Sequence, residues 1–186
     1  FATRTKANPV FDFDNLQPSE RDQLIGRANI HINYGIEWDL TKTARDAVVQ
    51  NYADGHCGSL EGVSYTVTRT ASGEYTLRVE GYGEYDLTKA LTLGATGKRT
   101  ESGELVEGTQ GKHGEGLKVV ALLLLRDFRA SRVSYSSRNW KVDYAIKSGQ
   151  ETLAPEINQV SDRSGNYTEI ATESPELIHD LLQAIN

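Results

Sequence analysis

Val119 to Leu125 is an unbroken run of seven apolar residues between Lys118 and Arg126. It falls far short of the roughly 18 apolar residues a membrane span needs, so no membrane partner is expected. Extended from Leu117 to Phe128, it reads as one helix, with Arg126 and Arg129 near its C-terminus, where cations suit the helix dipole. A helix this apolar must be nearly buried. The other elements are therefore read for what covers it.

Pro18-Ser19-Glu20 opens a helix running to about Ala28, with proline in the first turn. Residues 30–36 alternate loosely, as a short strand or an entry loop. Asp39 and Thr41 are N-cap candidates for a helix over residues 40–53, in which Ala44, Ala47, Val48 and Asn51 share one face. Residues 62–70 alternate as a strand, Ser72-Gly73 turns it, and residues 74–79 return as a hairpin. A short helix is expected over 86–93. Residues 94–116 are too long and glycine-rich for a simple connection and read as a functional loop or lid. Residues 132–137 and 139–146 form a second hairpin, 147–164 are polar, and 167–172 form another strand. Ser174 caps a last helix over 175–185, with Pro175 at its first position. This order predicts an α+β two-layer sandwich, a mostly antiparallel sheet with helices on one face. Residues 1–30 are expected to be an N-terminal extension with a helix, and 31–186 the main domain.

Charge and cysteine use narrow the function classes. The 186 residues carry 20 basic and 26 acidic side chains, a net charge of −6, so a nucleic-acid partner is not indicated. One cysteine, Cys57, excludes an intrachain disulfide framework and fits a reducing, cytoplasmic setting. His56 and Cys57 lack further ligands for a metal site, and His31 and His179 read as structural or exposed. With no methionine, even at position 1, the chain is expected to be a piece of a larger protein.

The chemistry concentrates in Gly111-Lys112-His113-Gly114-Glu115-Gly116-Leu117. Three glycines just before a helix let the backbone approach a ligand closely. Free N–H groups at the helix start then favour an anion such as phosphate, with Lys112 and Lys118 adding positive charge. No Gly-Lys-Ser/Thr ends the loop, so it is not a P-loop, and no βαβ unit makes it a dinucleotide fingerprint. The alternative is a surface loop that caps the helix. Upstream, Asn51 lies on the inward face of its helix, where its side-chain oxygen is either a hard-cation ligand or an internal hydrogen-bonding amide.

Taken together, these boxes resemble the GHKL, or Bergerat-fold, ATPase superfamily, which includes gyrase B subunits, ninety-kilodalton heat-shock chaperones, MutL proteins and sensor histidine kinases. Gly111, Gly114, Gly116 and Leu117 match every fixed position of its Gly-x-x-Gly-x-Gly-Leu box. Asn51 matches its metal-binding asparagine, and Asp54 the acid three residues on. Glu80-Gly81-Tyr82-Gly83 resembles its Asp-x-Gly-x-Gly box. Gly165 to Ile170, with Thr168, resembles its late Gly-Thr strand. The boxes fall in family order across about residues 38 to 172. The resemblance implies ATP as ligand, Mg2+ on Asn51, phosphates at the start of the Leu117 helix, and a lid over 94–116 in which Lys98 and His113 are phosphate-contact candidates. It also implies slow ATP hydrolysis or ATP-gated conformational change, with a homodimer or other domains of the same protein as partner.

Two carboxylates depart from the pattern. The family's general base lies four residues before the metal asparagine, and Ala47 stands there. Asp46 is the nearest carboxylate, about 100° round the helix. The adenine-reading aspartate position is occupied by Val79, with Glu80 adjacent but on the opposite side of a strand. The alternative function is therefore a degenerate, non-hydrolysing nucleotide sensor or protein-interaction module.

Overall fold

The computed structural model describes residues 17–20, 22–23, 29–48, 63–83 and 116–185. Residues 18–20 and 22–23 are helical, as Pro18 predicts. The short strand β1 (Ile30–His31) follows, then helix α1 (Leu40–Val48). Asp39 caps α1: its carboxylate accepts from the Lys42 N–H at 2.7 Å.

Strands β2 (Ser64–Arg69) and β3 (Tyr75–Gly81) form the expected hairpin, turned at Gly73 with φ +89°. Helix α2 (Gly116–Asp127) begins one residue before the expected start. It stops because Arg129 adopts φ +67° and the Ala130 N–H turns back to the Leu124 carbonyl at 3.0 Å, which satisfies a terminal acceptor. Strands β4 (Arg132–Ser137) and β5 (Trp140–Tyr144) make the second hairpin, turned at Arg138-Asn139.

The polar stretch 147–164 holds two strands that its composition hides, β6 (Thr152–Leu153) and β7 (Glu156–Gln159). Both are short, and β7 ends the sheet, so only Leu153 and Ile157 point at apolar neighbours. Strand β8 (Asn166–Thr172) and helix α3 (Pro175–Ile185) complete the described chain.

Six strands pair antiparallel in the order β2-β3-β8-β4-β5-β7, while β1 and β6 pair separately. Strand alternation sends Leu77, Val79, Ile170, Thr168, Val133, Tyr135, Val142 and Tyr144 to one face, where all are fully buried. The helices cover that face: α1 packs on α2 and α3, α2 on β4, and α3 on β3 and β8. The apolar run behaves as its composition demands, since Val119 to Leu124 are all 0% exposed. Each such leucine contributes about 1.5–3 kcal/mol by leaving water.

The other face is polar. The Arg78 guanidinium meets Glu169 at 2.7 Å and lies over the Tyr167 ring, 4.0 Å from its centroid.

Candidate functional site

One row across the helix-covered face collects the ends of two helices. Val79 on β3 pairs with Thr168 on β8, which pairs with Tyr135 on β4. The Thr168 hydroxyl donates to the Ala47 carbonyl at 3.4 Å, near the C-terminal end of α1. The Tyr135 hydroxyl donates to the Leu117 carbonyl at 2.6 Å, in the first turn of α2. Burial, with Tyr144 beside it, holds the Tyr135 phenol well above its usual range, so it stays a neutral donor.

Next along the strands lies a corner built from glycine and asparagine. Gly81 ends β3, and Gly165, at φ +79°, leads into β8. The two backbones pack so closely that a Cβ on Gly165 would overlap the Gly81 carbonyl oxygen. The Asn166 amide donates to the Gly83 carbonyl at 2.8 Å, and the Ser137 hydroxyl to the Gly165 carbonyl at 3.1 Å. The chain from Gly81 to Gly83 is thus tied to β8 at both ends.

The carboxylates near these boxes point elsewhere. Glu80 lies on the polar face, where one oxygen meets Arg78 at 3.3 Å and Arg163 at 3.2 Å. Asp46 pairs with Lys42 at 2.9 Å one helical turn back. Their neighbours in sequence, Val79 and Ala47, are the residues turned inward, both 0% exposed.

Gly116 opens α2 and Leu117 is half-buried. Asn51, Asp54, Lys98, Gly111, Lys112, His113 and Gly114 lie outside the described residues. Among the described residues, no group of three or more His, Cys, Asp or Glu is placed to hold a metal ion. Nor is any helix there long and apolar enough to cross a membrane.

Two residues of this region escape sequence reasoning. Tyr135 shows only as an inward position in an alternating strand, and Asn166 as a polar residue after a glycine. Their roles depend on the β4-β8-β3 register, which no local pattern encodes.

Lys118, expected beside the phosphates, is 6% exposed, and its ammonium donates to the Asn29 carbonyl at 3.3 Å. Burial lowers its pKa from 10.5. Between the folded value and 10.5 the unfolded chain binds more protons, so this group makes stability rise with pH across that window. The penalty is fully present below the window. Urea unfolding of wild type and Lys118→Met at pH 7 and pH 10 should show the gap moving in favour of wild type at pH 10. A gap independent of pH would mean that burial does not bias this amine.

No protein-family model and no curated protein matches the sequence. The fold is similar to a solved structure described as the ATPase region of Saccharomyces cerevisiae topoisomerase II, with TM-score 0.35 and 11% identity. The match covers 77% of this chain and 41% of that one, so the chain spans less than half the length of that region.

Proposed function

We propose that residues 31–186 form an ATP-binding domain of GHKL type that binds Mg·ATP and hydrolyses it slowly or not at all. One observation carries this reading. The described elements that adjoin the separate sequence boxes meet at the row Val79–Thr168–Tyr135, with α1 bonded to it through Ala47 and α2 through Leu117. In the proposed arrangement Asn51 holds Mg2+, with Asp54 beside it. Gly111, Lys112, His113, Gly114 and Gly116 hold the phosphates with Lys98, and Gly81, Gly83 and Thr168 border the base. ATP binding would be read out through the lid over 94–116, as a change of conformation or of contact with a partner.

A specific observation favours the non-hydrolysing form, a nucleotide sensor. The inward position one turn before Asn51 is the Ala47 methyl, which cannot take a proton from water, and Asp46 is bound to Lys42 on the exposed side. The base end of the pocket is weakened too. Val79 has no side-chain acceptor for an exocyclic amine, and losing such a bond costs about 1–3 kcal/mol.

The test is a melting series with Mg·ATP, with a non-hydrolysable analogue and with Mg2+ alone, followed by a phosphate-release assay. Saturation at 100 times Kd stabilises by about 2.7 kcal/mol, which raises Tm by roughly 5–10 °C for a chain of this size. Both nucleotides should give that shift, with no release of phosphate. Gly116→Val should abolish it while leaving the unliganded Tm within a few degrees. A wild type that does not shift sinks nucleotide binding, and steady phosphate release sinks the non-hydrolysing form.

A further inference from the structure

Strands β3 and β8 stop pairing at one rung, yet the contact between the two chains continues past it. The last paired residues are Gly81 and Asn166. Beyond them the backbones part: β3 has ended, and Gly165 stands at φ +79°, outside the extended range. Gly83 lies two residues past that rung, and its carbonyl accepts from the Asn166 side chain at 2.8 Å. A side-chain amide therefore carries the contact one step further than the backbone ladder does.

That amide is aimed by its surroundings. Asn166 is 1% exposed, and its backbone pairs with Gly81 on one side and Ser137 on the other. The Ser137 hydroxyl fixes the preceding carbonyl, that of Gly165, at 3.1 Å. A side chain held so closely has little rotamer freedom left to lose in making its bond. Neither Gly81 nor Gly83 carries a side chain, so a base lying there meets bare backbone, and its fit depends on where that backbone runs. The carboxylate of Glu80 is not available to it. Its register is unbroken from Tyr75↔Thr172 to Gly81↔Asn166, with no bulge to rotate it inward, and Arg78 and Arg163 hold it on the polar face.

We propose that Asn166 is a positioning residue for the base end of the nucleotide site, a role that rests on the nucleotide-binding reading above. It acts through the peptide groups it holds: the amide fixes the Gly83 carbonyl and so sets the path from Gly81 to Gly83 against which the base lies. In that reading the phosphates meet the start of α2 and not this corner. Loss of the amide should therefore weaken what the base contributes and spare what the triphosphate contributes.

Asn166→Asp tests this, because it keeps the shape and turns the donor into an acceptor facing a carbonyl. Calorimetric titration with Mg·ATP and with Mg·tripolyphosphate, at a temperature where each variant is folded, separates the two ends of the site. Mg·ATP should bind at least about tenfold more weakly, the size of a lost internal hydrogen bond, while Mg·tripolyphosphate changes by less than about twofold. Ser137→Ala frees the Gly165 carbonyl with less disturbance and should move the same ratio in the same direction, which keeps the test open if Asn166→Asp does not fold. Thr172→Val is the control. It removes a hydroxyl bonded to the Arg129 carbonyl at 2.9 Å, at the other end of β8, and should lower Tm without moving the ratio. Equal weakening of both ligands by Asn166→Asp overturns the positioning role, as does unchanged binding of Mg·ATP. A ratio that Thr172→Val moves as far overturns it too, since affinity then follows stability alone. Wild type that binds the two ligands equally overturns it because the base adds nothing. Wild type that binds neither sinks the nucleotide reading itself, and this role with it.

Discussion

Gly165→Ala is expected to cost about 3 kcal/mol or more of stability. Two effects add at this position. An L-residue held at φ +79° pays about 1–2 kcal/mol for its Cβ. The Cβ also overlaps the Gly81 carbonyl oxygen and lies 3.5 Å from the Gly81 carbonyl carbon and 3.7 Å from the Tyr82 Cα. All of these are backbone atoms, so no side chain can turn aside. The molecule supplies its own controls. Gly149 has nearly the same φ, +80°, with nothing within 4 Å of the Cβ that alanine would add, so Gly149→Ala should show the conformational cost alone. Gly35 has equal space and no left-handed φ, and Gly35→Ala should be near neutral. Urea unfolding should rank the three Gly165 > Gly149 > Gly35. Equal costs at Gly165 and Gly149 would mean that the β3 and β8 ends separate freely, and that the glycine corner is not a fixed part of the site.

That corner also marks how far sequence reaches in this chain. The apolar run at Val119 demands burial wherever it lies, and hairpins with a turn at Gly73 or at Arg138-Asn139 are local. The helix over 175–185, capped by Ser174 and begun by Pro175, is local in the same sense, and its bounds agree with the structure. Strands β6 and β7 are not legible, because an edge or two-residue strand needs little apolar sequence. At the site, alternation alone separates Val79 from Glu80, and helical rotation separates Ala47 from Asp46. The structure adds where the outward partners go: Glu80 to Arg78 and Arg163, and Asp46 to Lys42. What no local pattern holds is register. Only the pairing of Val79, Thr168 and Tyr135 shows that α1 and α2 end over the same row. The same pairing brings the Asn166 amide to the Gly83 carbonyl and ties that segment to β8.

Arg126→Ala is expected to lose about 2–4 kcal/mol, the range for losing several charge-assisted hydrogen bonds with some recovery from water. Its guanidinium uses every donor it has. Nη1 donates to the carbonyls of Ile32 at 2.9 Å and Tyr34 at 3.0 Å, and Nη2 to Ile36 at 3.1 Å. Nε and Nη2 also grip the Asp127 carboxylate at 2.9 and 3.0 Å. The hydrogen bond to Asp127 raises its pKa above an already high value, so the clamp is charged throughout the working pH range. Three carbonyls at every second residue are thereby fixed across the last turn of α2, where a cation also suits the helix dipole. The stretch they belong to packs Ile32, Tyr34 and Ile36 on the core and delivers the chain to the Asp39 cap of α1. Arg126→Lys keeps the charge but replaces a planar fork with a compact head of three donors, so it should recover less than half of the loss. Hydrogen exchange should show the damage locally, with faster exchange at Ile32, Tyr34 and Ile36 while the amides of β3, β4 and β8 stay protected. A loss under about 0.5 kcal/mol for Arg126→Ala would place these contacts among ordinary surface ones. Full recovery by lysine would show that charge, rather than the fork, holds the segment to α2.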